Sequence, residues 1–217
     1  MIVNSSEPVT LVGGADLNPD DLTIAMGLAP KVVAADSGAN KLLSAGVAPD
    51  AIYGDMDSIS DAARAAFADR IHQIDCQDTT DLEKVLDRVT APAFVAIGFL
   101  GQRLDHTFAA LRAAAVRPDC HVVFLGSDDA VCVIRDRSLR IGLPVGTGVG
   151  VLPLGAAEVQ SKGLKWELEG AELALDGLIS SSNEAVADSV SIGATGAVAV
   201  TVPRTLLPNA LAGVLEK

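Results

Sequence analysis

The chain has 217 residues, 49% of them hydrophobic and 20% charged, and this composition excludes a disordered or fibrous protein. Its 16 basic and 28 acidic side chains give a net charge of −12, which argues against a general nucleic-acid binder, because such proteins neutralise phosphates with Lys and Arg. An anionic ligand is still compatible with an acidic protein if a divalent cation lies between them.

Short β-branched runs alternate with helical patterns from residue 9 to about residue 135, which is typical of a mostly parallel sheet covered by helices. The predicted strands are VTLVGG (9–14), KVVAAD (31–36), DAIYGD (50–55), RIHQID (70–75), AFVAIG (93–98), CHVVFLG (120–126) and AVCVIRD (130–136). The clearest helix is predicted over Asp81 to Val89, where apolar residues recur at i, i+3, i+4 and i+7. A second helix is predicted from about Leu104 to Ala115, with one face formed by Leu104, Phe108, Leu111 and Ala115.

The pattern changes at about Ser138. From there Gly separates short alternating segments such as LKWELEG and AVAVTV, and helical periodicity returns only in the last dozen residues. We therefore predict an α/β fold in which a doubly wound, mostly parallel sheet domain (residues 1–137) is followed by a smaller all-β sandwich domain (residues 138–217).

Cysteine usage and hydropathy predict the compartment. Cys76, Cys120 and Cys132 are odd in number and lack CxxC spacing, which favours a reducing environment over a disulfide framework or a zinc site. The N-terminus has no basic region before its apolar run, so we expect no signal peptide. The longest charge-free stretch, residues 141–157, contains five Gly and two Pro and is a poor membrane helix. We expect a cytoplasmic protein without membrane or nucleic-acid partners.

The first candidate site follows the strand over residues 51–53, where Asp55 and Asp57 stand two positions apart. In extended backbone such residues point to the same side at roughly 7 Å, so both carboxylates can serve divalent cations. The alternative is a structural loop with an Asx-turn that leads to a helix beginning near Asp61.

The second candidate site is the segment Asp78 to Asp81. Thr80 and Glu83 have capping-box spacing, and Asp81 in a first helical turn would be favoured by the helix dipole. However, the segment lies after a predicted strand, at the edge where open α/β sheets bind ligands. We therefore favour a functional role over capping alone.

Two glycine-containing turns are candidate phosphate sites. The loop from Gly98 to His106 offers glycine amides, a helix N-terminus and the forked donor Arg103, all of which can bind phosphate. The alternative role for Arg103 is a surface ion pair with Asp105. His106 is interpreted as a helix-surface residue. The turn over residues 35–40 also follows a strand, and Gly13 and Gly14 follow the first strand; neither a P-loop nor a strict GxGxxG motif occurs.

The ordered motifs ADSGAN, PDAIYGDMDS, DTTDLEKVL and GFLGQRLDH, followed by GLKWELEG and ISSSNE, closely resemble the thiamine pyrophosphokinase family over about residues 31–202. The resemblance implies a two-domain homodimer that uses ATP and Mg²⁺. It also implies the activity of a thiamine diphosphokinase, which moves the β,γ-diphosphoryl group of ATP to the hydroxyethyl oxygen of thiamine and releases AMP.

The resemblance also implies roles for residues of this chain. Carboxylates around Mg²⁺ and the polyphosphate would be Asp36, Asp55, Asp57 and Asp81, with Asp55, Asp57 and Asp81 as metal ligands. Nucleotide or phosphate contacts would be Gln77, Thr80, Arg103 and Asp105, and thiamine contacts would be Trp166, Ser182 and Asn183. Ser37 departs from the Gly that is more common in the family, which questions any role that needs positive φ there.

Two alternatives are kept open by the sequence. One is a diphosphokinase of the same architecture that acts on a hydroxymethyl-pterin, and the other is a non-catalytic nucleotide or thiamine sensor. The GLKW and SSSN features argue against the first, and the retained aspartates argue against the second. The resemblance, together with the placement of the aspartates and the thiamine contacts in different predicted domains, leads us to expect a two-fold dimer in which each active site takes residues from both subunits.

Overall fold

The computed structural model describes residues 3–216. The chain divides into two compact units between Ala113 and Ala114. The predicted domain boundary after residue 137 lies inside a strand of the second unit and stays a prediction. Along residues 3–216, no helix has the length and apolarity needed to cross a bilayer.

The first unit alternates short strands and helices. Its elements in chain order are β1 (Val3–Asn4), β2 (Val9–Val12), α1 (Asp21–Leu28), β3 (Lys31–Ala35), α2 (Gly38–Ser44), β4 (Ala51–Gly54), α3 (Asp61–Ala66), β5 (Ile71–Gln73), α4 (Asp81–Leu86), β6 (Val89–Thr90), β7 (Phe94–Ile97) and α5 (Leu104–Ala115), whose last turn crosses the division.

Strand pairing in the first unit is parallel. Strands β3, β4 and β5 pair in that order, β2 pairs with β7, and β1 pairs with β6. Every residue of β2, β4 and β7 is buried, as expected for parallel strands that are covered on both faces. The turns after β2, β3, β4 and β7 therefore leave the carboxyl ends of parallel strands, where ligands bind in open α/β sheets.

The second unit is mostly antiparallel β-structure. Its elements are β8 (Val122–Leu125), β9 (Asp129–Gly142), β10 (Gly148–Pro153), β11 (Ala157–Lys162), β12 (Glu169–Leu173), β13 (Ser180–Glu184), β14 (Ser189–Pro203) and α6 (Leu207–Leu215). Strand β9 pairs with β8 and with most of β14, and the other edge of β14 pairs with β10 and β11. Strands β12 and β13 extend this arrangement by pairing with β11 and β10.

The long β9–β14 ladder is interrupted once, between Ala194 and Ala197. At this irregularity Asp136 adopts a φ of 51°, and its Oδ1 accepts a hydrogen bond of 2.7 Å from the backbone N–H of Gly196. Bulges of this kind increase local twist in long ladders.

The mixture of helices and strands agrees with the predicted α/β fold class. The finer prediction, a doubly wound sheet domain followed by a β-sandwich domain, stays a proposal.

Two helix predictions need correction. The helix predicted over 81–89 ends at Leu86, because Val89 and Thr90 form β6 against β1. In α5 the predicted apolar face is not buried at its start: Leu104 and Phe108 are 71% and 49% exposed, and the buried contacts are made by small alanines near its end.

Candidate functional site

Three carboxylates converge where β3 and β4 end. Asp36 follows β3, Asp55 follows β4, and Asp57 lies two residues further on. One oxygen from each lies within 4.8 Å of the others. Gly54 permits this approach, because a Cβ there would lie only 2.7 Å from the Cβ of Asp36. The predicted proximity of Asp55 and Asp57 is therefore observed, with Asp36 as the third member.

Asp36 is the most constrained of the three. It is 3% exposed, its φ is 41°, and its Oδ1 has no hydrogen-bond partner within the described part of the chain. Burial raises the pKa of this carboxyl, and the negative charges of Asp81, Asp57 and Asp55 raise it further. A buried oxygen without a donor, facing two more carboxylates, fits a hard divalent cation such as Mg²⁺.

The loop after β4 also has the local structure that the alternative interpretation expected. Met56 has a φ of 67°, the Asp57 N–H donates to Asp55 Oδ1 at 3.4 Å, and the Ser58 hydroxyl donates to Asp57 Oδ1 at 2.7 Å. The N-cap of α3 is Ser60, whose side chain accepts a hydrogen bond from Ala63 N–H. Neither carboxylate is therefore needed as a cap.

Asp81 shares a cationic partner, Lys84, with Asp55. Its Oδ1 lies 3.0 Å from the Nζ of Lys84, which also lies 3.2 Å from Asp55 Oδ2. Burial favours a higher pKa for Asp55, but hydrogen bonds from Lys84 and neighbouring donors outweigh it and lower that pKa. Sequence reasoning missed Lys84, because its i+3 spacing from Asp81 on a helix indicates only an ordinary surface pair.

Gln77 reaches the same group of carboxylates, since its Nε2 donates to Asp55 Oδ2 at 3.3 Å. Thr80 forms a complete capping box with Glu83: its hydroxyl accepts from Glu83 N–H, and Glu83 Oε2 accepts from Thr80 N–H at 3.0 Å. Glu83 also accepts from Arg112 at 2.8 Å. The structural role predicted for Thr80 is thus present, and a nucleotide contact would be additional.

A cavity of about 450 Å³ adjoins the carboxylates, a volume suited to a small ligand. Its lining includes Gly13, Gly14, Asp36, Ser37, Thr80, Asp81, Gly98, Gly101, Arg103 and His106. Gly98 and Gly101 have φ values of 72° and 94°, and Gln102 has 44°, so the loop after β7 needs left-handed backbone at three positions.

Two sequence questions are answered at this cavity. Ser37 has a φ of −60°, so it needs no left-handed conformation, and the positive φ occurs at Asp36 instead. Arg103 and Asp105 form the surface ion pair that was the alternative interpretation, with Arg103 Nη2 2.6 Å from Asp105 Oδ2 and both side chains mostly exposed. His106 is exposed, as expected, and also lines the cavity.

The second unit holds the three remaining predicted residues. Asn183 is 5% exposed and clamps the backbone of Trp166: it accepts from Trp166 N–H at 3.1 Å and donates to Trp166 O at 2.7 Å. The Trp166 ring is 57% exposed, so it is not a core residue, and Lys165 Nζ lies 5.0 Å from the ring centroid. Ser182 is exposed on β13.

Comparison with known proteins finds two family models along the chain. Residues 25–124 match the model described as thiamin pyrophosphokinase, catalytic domain, and residues 137–198 match the model described as thiamin pyrophosphokinase, vitamin B1 binding domain. Together these ranges include most of the chain.

Individual relatives agree. The chain is 32% identical over 184 residues to thiamin pyrophosphokinase 1 of Caenorhabditis elegans, covering 73% of this chain and 72% of that protein. It is 32% identical over 158 residues to thiamine pyrophosphokinase 2 of Arabidopsis thaliana, covering 62% of this chain and 58% of that protein. The chain thus spans about three fifths of the length of the plant relatives it matches.

Solved structures show the same fold. Thiamin pyrophosphokinase from Candida albicans superposes with a TM-score of 0.77 at 16% identity, covering 93% of both chains. The enzyme of the same name from Geobacillus thermodenitrificans superposes with a TM-score of 0.74 at 24% identity, covering 90% of this chain and 96% of that one.

Proposed function

Because this chain belongs to the thiamin pyrophosphokinase family, we propose that it is a thiamine diphosphokinase. In the proposed reaction the hydroxyethyl oxygen of thiamine bonds to the β-phosphorus of ATP and gives up its proton to a carboxylate of the site or to water, and the bond from that phosphorus to the α,β-bridging oxygen breaks. The products are thiamine diphosphate and AMP. The observation that carries the proposal is the buried Asp36 oxygen without a donor, at the edge of a glycine-lined cavity and beside Asp55 and Asp57.

The carboxylates suit the metal that this chemistry uses. Asp36, Asp55 and Asp57 would hold Mg²⁺, which when bound neutralises charge on the polyphosphate. Asp81, which the sequence resemblance placed among the metal ligands, is proposed to act next to this group through its ion pair with Lys84. Diphosphoryl transfer depends mainly on positioning and charge neutralisation, so a rigid carboxylate group with few basic residues is suitable.

The nucleotide is proposed to occupy the cavity. Glycine turns after β2 and β7 let backbone amides approach phosphate oxygens, and Arg103 supplies a forked donor at the cavity wall. Asp105 keeps this guanidinium oriented through two hydrogen bonds. Gln77 and Thr80 are proposed to contact the nucleotide from the opposite turn.

Thiamine is proposed to bind at Trp166, with Ser182 and Asn183 beside it. Thiamine is a cationic aromatic molecule, and the exposed face of Trp166 already accepts the ammonium of Lys165. The match of residues 137–198 to a vitamin B1 binding domain favours thiamine over a hydroxymethyl-pterin. Asn183 would act indirectly, because its amide is already committed to the Trp166 backbone.

We further propose a homodimer in which each site combines the aspartates of one subunit with Trp166 of the other. Subunit mixing tests this arrangement. Asp57→Asn and Trp166→Ala are each expected to be inactive, and random exchange makes about half of the dimers mixed with one intact site, so activity should return to roughly a quarter of wild type. Mixed dimers verified by native mass spectrometry but without recovered activity would place each site within one chain.

The reaction itself is tested by incubating the protein with ATP, Mg²⁺ and thiamine and quantifying the products. Equal amounts of AMP and thiamine diphosphate are expected. Formation of ADP and thiamine monophosphate would mean attack on the γ-phosphorus instead. A binding protein without catalytic activity, the remaining alternative, would retain ligand without any AMP release.

A further inference from the structure

The acidic group, which consists of Asp36, Asp55, Asp57 and Asp81, contains a buried cation, the ammonium of Lys84. We propose that Lys84 is a built-in counter-ion that holds Asp55 and Asp81 in place and lowers the affinity of the group for divalent cations. This inference rests on the metal use proposed above and adds a residue to that site. Lys84 is a positioning residue, since it acts through the two carboxylates that it contacts.

Lys84 is confined on every side. Its side chain is 3% exposed, whereas those of Asp55 and Asp81 are 17% and 36% exposed. Its Nζ lies 3.2 Å from Asp55 and 3.0 Å from Asp81, so one ammonium joins two carboxylates that come from separate turns. A buried ammonium is stable only when it is paired in this way, so the contact is not an incidental surface ion pair.

The backbone also fixes the position of Lys84. Its N–H donates to Thr80 O at 2.9 Å, and Arg88 donates to its carbonyl at 3.1 Å. The capping box of Thr80 and Glu83 fixes the first turn of α4 just before it. The helix therefore fixes the point from which the buried Lys84 side chain reaches Asp55 and Asp81.

Charge gives the direction of the effect. With all carboxylates ionised, Asp36, Asp55, Asp57 and Asp81 carry four negative charges, and Lys84 offsets one of them. Replacing Lys84 with methionine keeps much of its length but leaves that charge uncompensated. A divalent ion about 5 Å from one additional negative charge is bound about tenfold more tightly, even with nearly aqueous screening.

The same change should impair turnover. Without Lys84, the Asp55 carboxylate keeps only the longer hydrogen bonds from Gln77 and the Asp57 N–H, and it loses the cationic partner that helps to orient it. We therefore expect Lys84→Met to lower kcat while it strengthens metal binding. A residue with a merely structural role would weaken both or change neither.

The test is a Mn²⁺ titration of the full chain without nucleotide, followed by electron paramagnetic resonance of the free ion. Lys84→Met should bind Mn²⁺ about tenfold more tightly than wild type. Lys41→Met is the matched control, because Lys41 pairs with the exposed Asp16 rather than with the acidic group. The Mn²⁺ affinity of this control variant should stay at the wild-type value. Unchanged or weaker binding by folded Lys84→Met would overturn the inference.

A second variant separates charge from packing. Lys84→Met/Asp81→Asn removes one charge of each sign, so its Mn²⁺ affinity should return to near the wild-type value; equally tight binding by both variants would contradict the charge argument. If Lys84→Met is unfolded without metal, millimolar Mn²⁺ should refold it, and failure to refold would also overturn the inference. Since no ATP or thiamine is present, tighter binding by Lys84→Met would support the role of Lys84 even if the proposed reaction failed.

Discussion

Replacing Gly38 with alanine is expected to destabilise the first unit, although alanine is the better helix former. Gly38 begins α2 directly below the end of β2. A Cβ at this position would lie 2.7 Å from the carbonyl carbon of Val12 and closer still to its oxygen, and it would also approach Gly13 at 3.3 Å. The conflict is with backbone, so no side-chain rotation can relieve it.

The size of the effect follows from two opposing contributions. Normal contacts between carbon atoms are about 3.5–4.0 Å, and the Val12 oxygen would be closer than its carbon, so the two segments must separate by more than about 1 Å. Because the closest clash is with the Val12 carbonyl oxygen, overpacking is expected in the upper half of its usual range, about 2–3 kcal/mol, and exchanging Gly for Ala in a helix returns about 0.5–1 kcal/mol. The net loss is about 1–2.5 kcal/mol, or a fall in Tm of roughly 2–10 °C for a chain of this size.

Gly27 provides the control. It lies exposed in α1, and a Cβ there would meet nothing within 4 Å. Gly27→Ala should therefore raise Tm by about 1–4 °C, because only the helix preference changes. Differential scanning calorimetry of both variants measures the contrast. A Gly38→Ala protein at least as stable as wild type would refute the reasoning from close backbone contact.

Three further outcomes are expected. Thr80→Ala should lose about 1 kcal/mol of stability in urea unfolding because it removes the N-cap of α4, and Thr80→Ser should not; equal losses would contradict the capping role. Burial and neighbouring aspartates raise the pKa of Asp36, so ionisation of this carboxyl lowers the stability of the folded state as the pH rises above about 4. Without divalent ions, Asp36→Asn should therefore be more stable than wild type at about pH 7 but not at about pH 3. A stability difference that does not change with pH would oppose this. A thiol reagent at pH 8 should modify Cys76 before Cys132, because a hydrogen bond with Thr79 lowers the pKa of Cys76, whereas burial raises that of Cys132 to about 12. Mass spectrometry of the labelled peptides measures this order, and labelling of Cys132 as fast as that of Cys76 would contradict it.

Much of the first unit was predictable because buried parallel strands have a strong signal. The runs around β2, β4 and β7 are short, apolar and followed by turn residues, so their bounds were predicted to within about two residues. The start of α4 was predictable from its capping box. Helix α1 was not, because its apolar residues do not form one stripe, and the end of α4 was extended too far because Val89 continued the helical spacing while belonging to β6.

The candidate site was predictable in part for a similar reason. Asp55 and Asp57 follow a recognisable strand, so their proximity could be inferred from two-residue spacing alone. The role of Lys84 could not, because Asp81 and Lys84 at i and i+3 on a helix normally form an exposed pair of little energetic value. Its burial depends on how α4 packs on β3 and β4, which is tertiary information. The isolated Asp36 oxygen likewise depends on a backbone angle that no local pattern indicates.

The β9–β14 ladder has a consequence for incomplete chains. Ser189 pairs with Gly142 and Pro203 with Asp129, so β9 obtains this partner only after nearly the whole polypeptide has been synthesised. Until then, the backbone N–H and C=O groups along one edge of β9 have no partner strand, although β9 contains the buried run from Ala130 to Ile134. Chains truncated before Ser189 should therefore associate through this edge of β9 and accumulate as aggregates, although their first unit is complete.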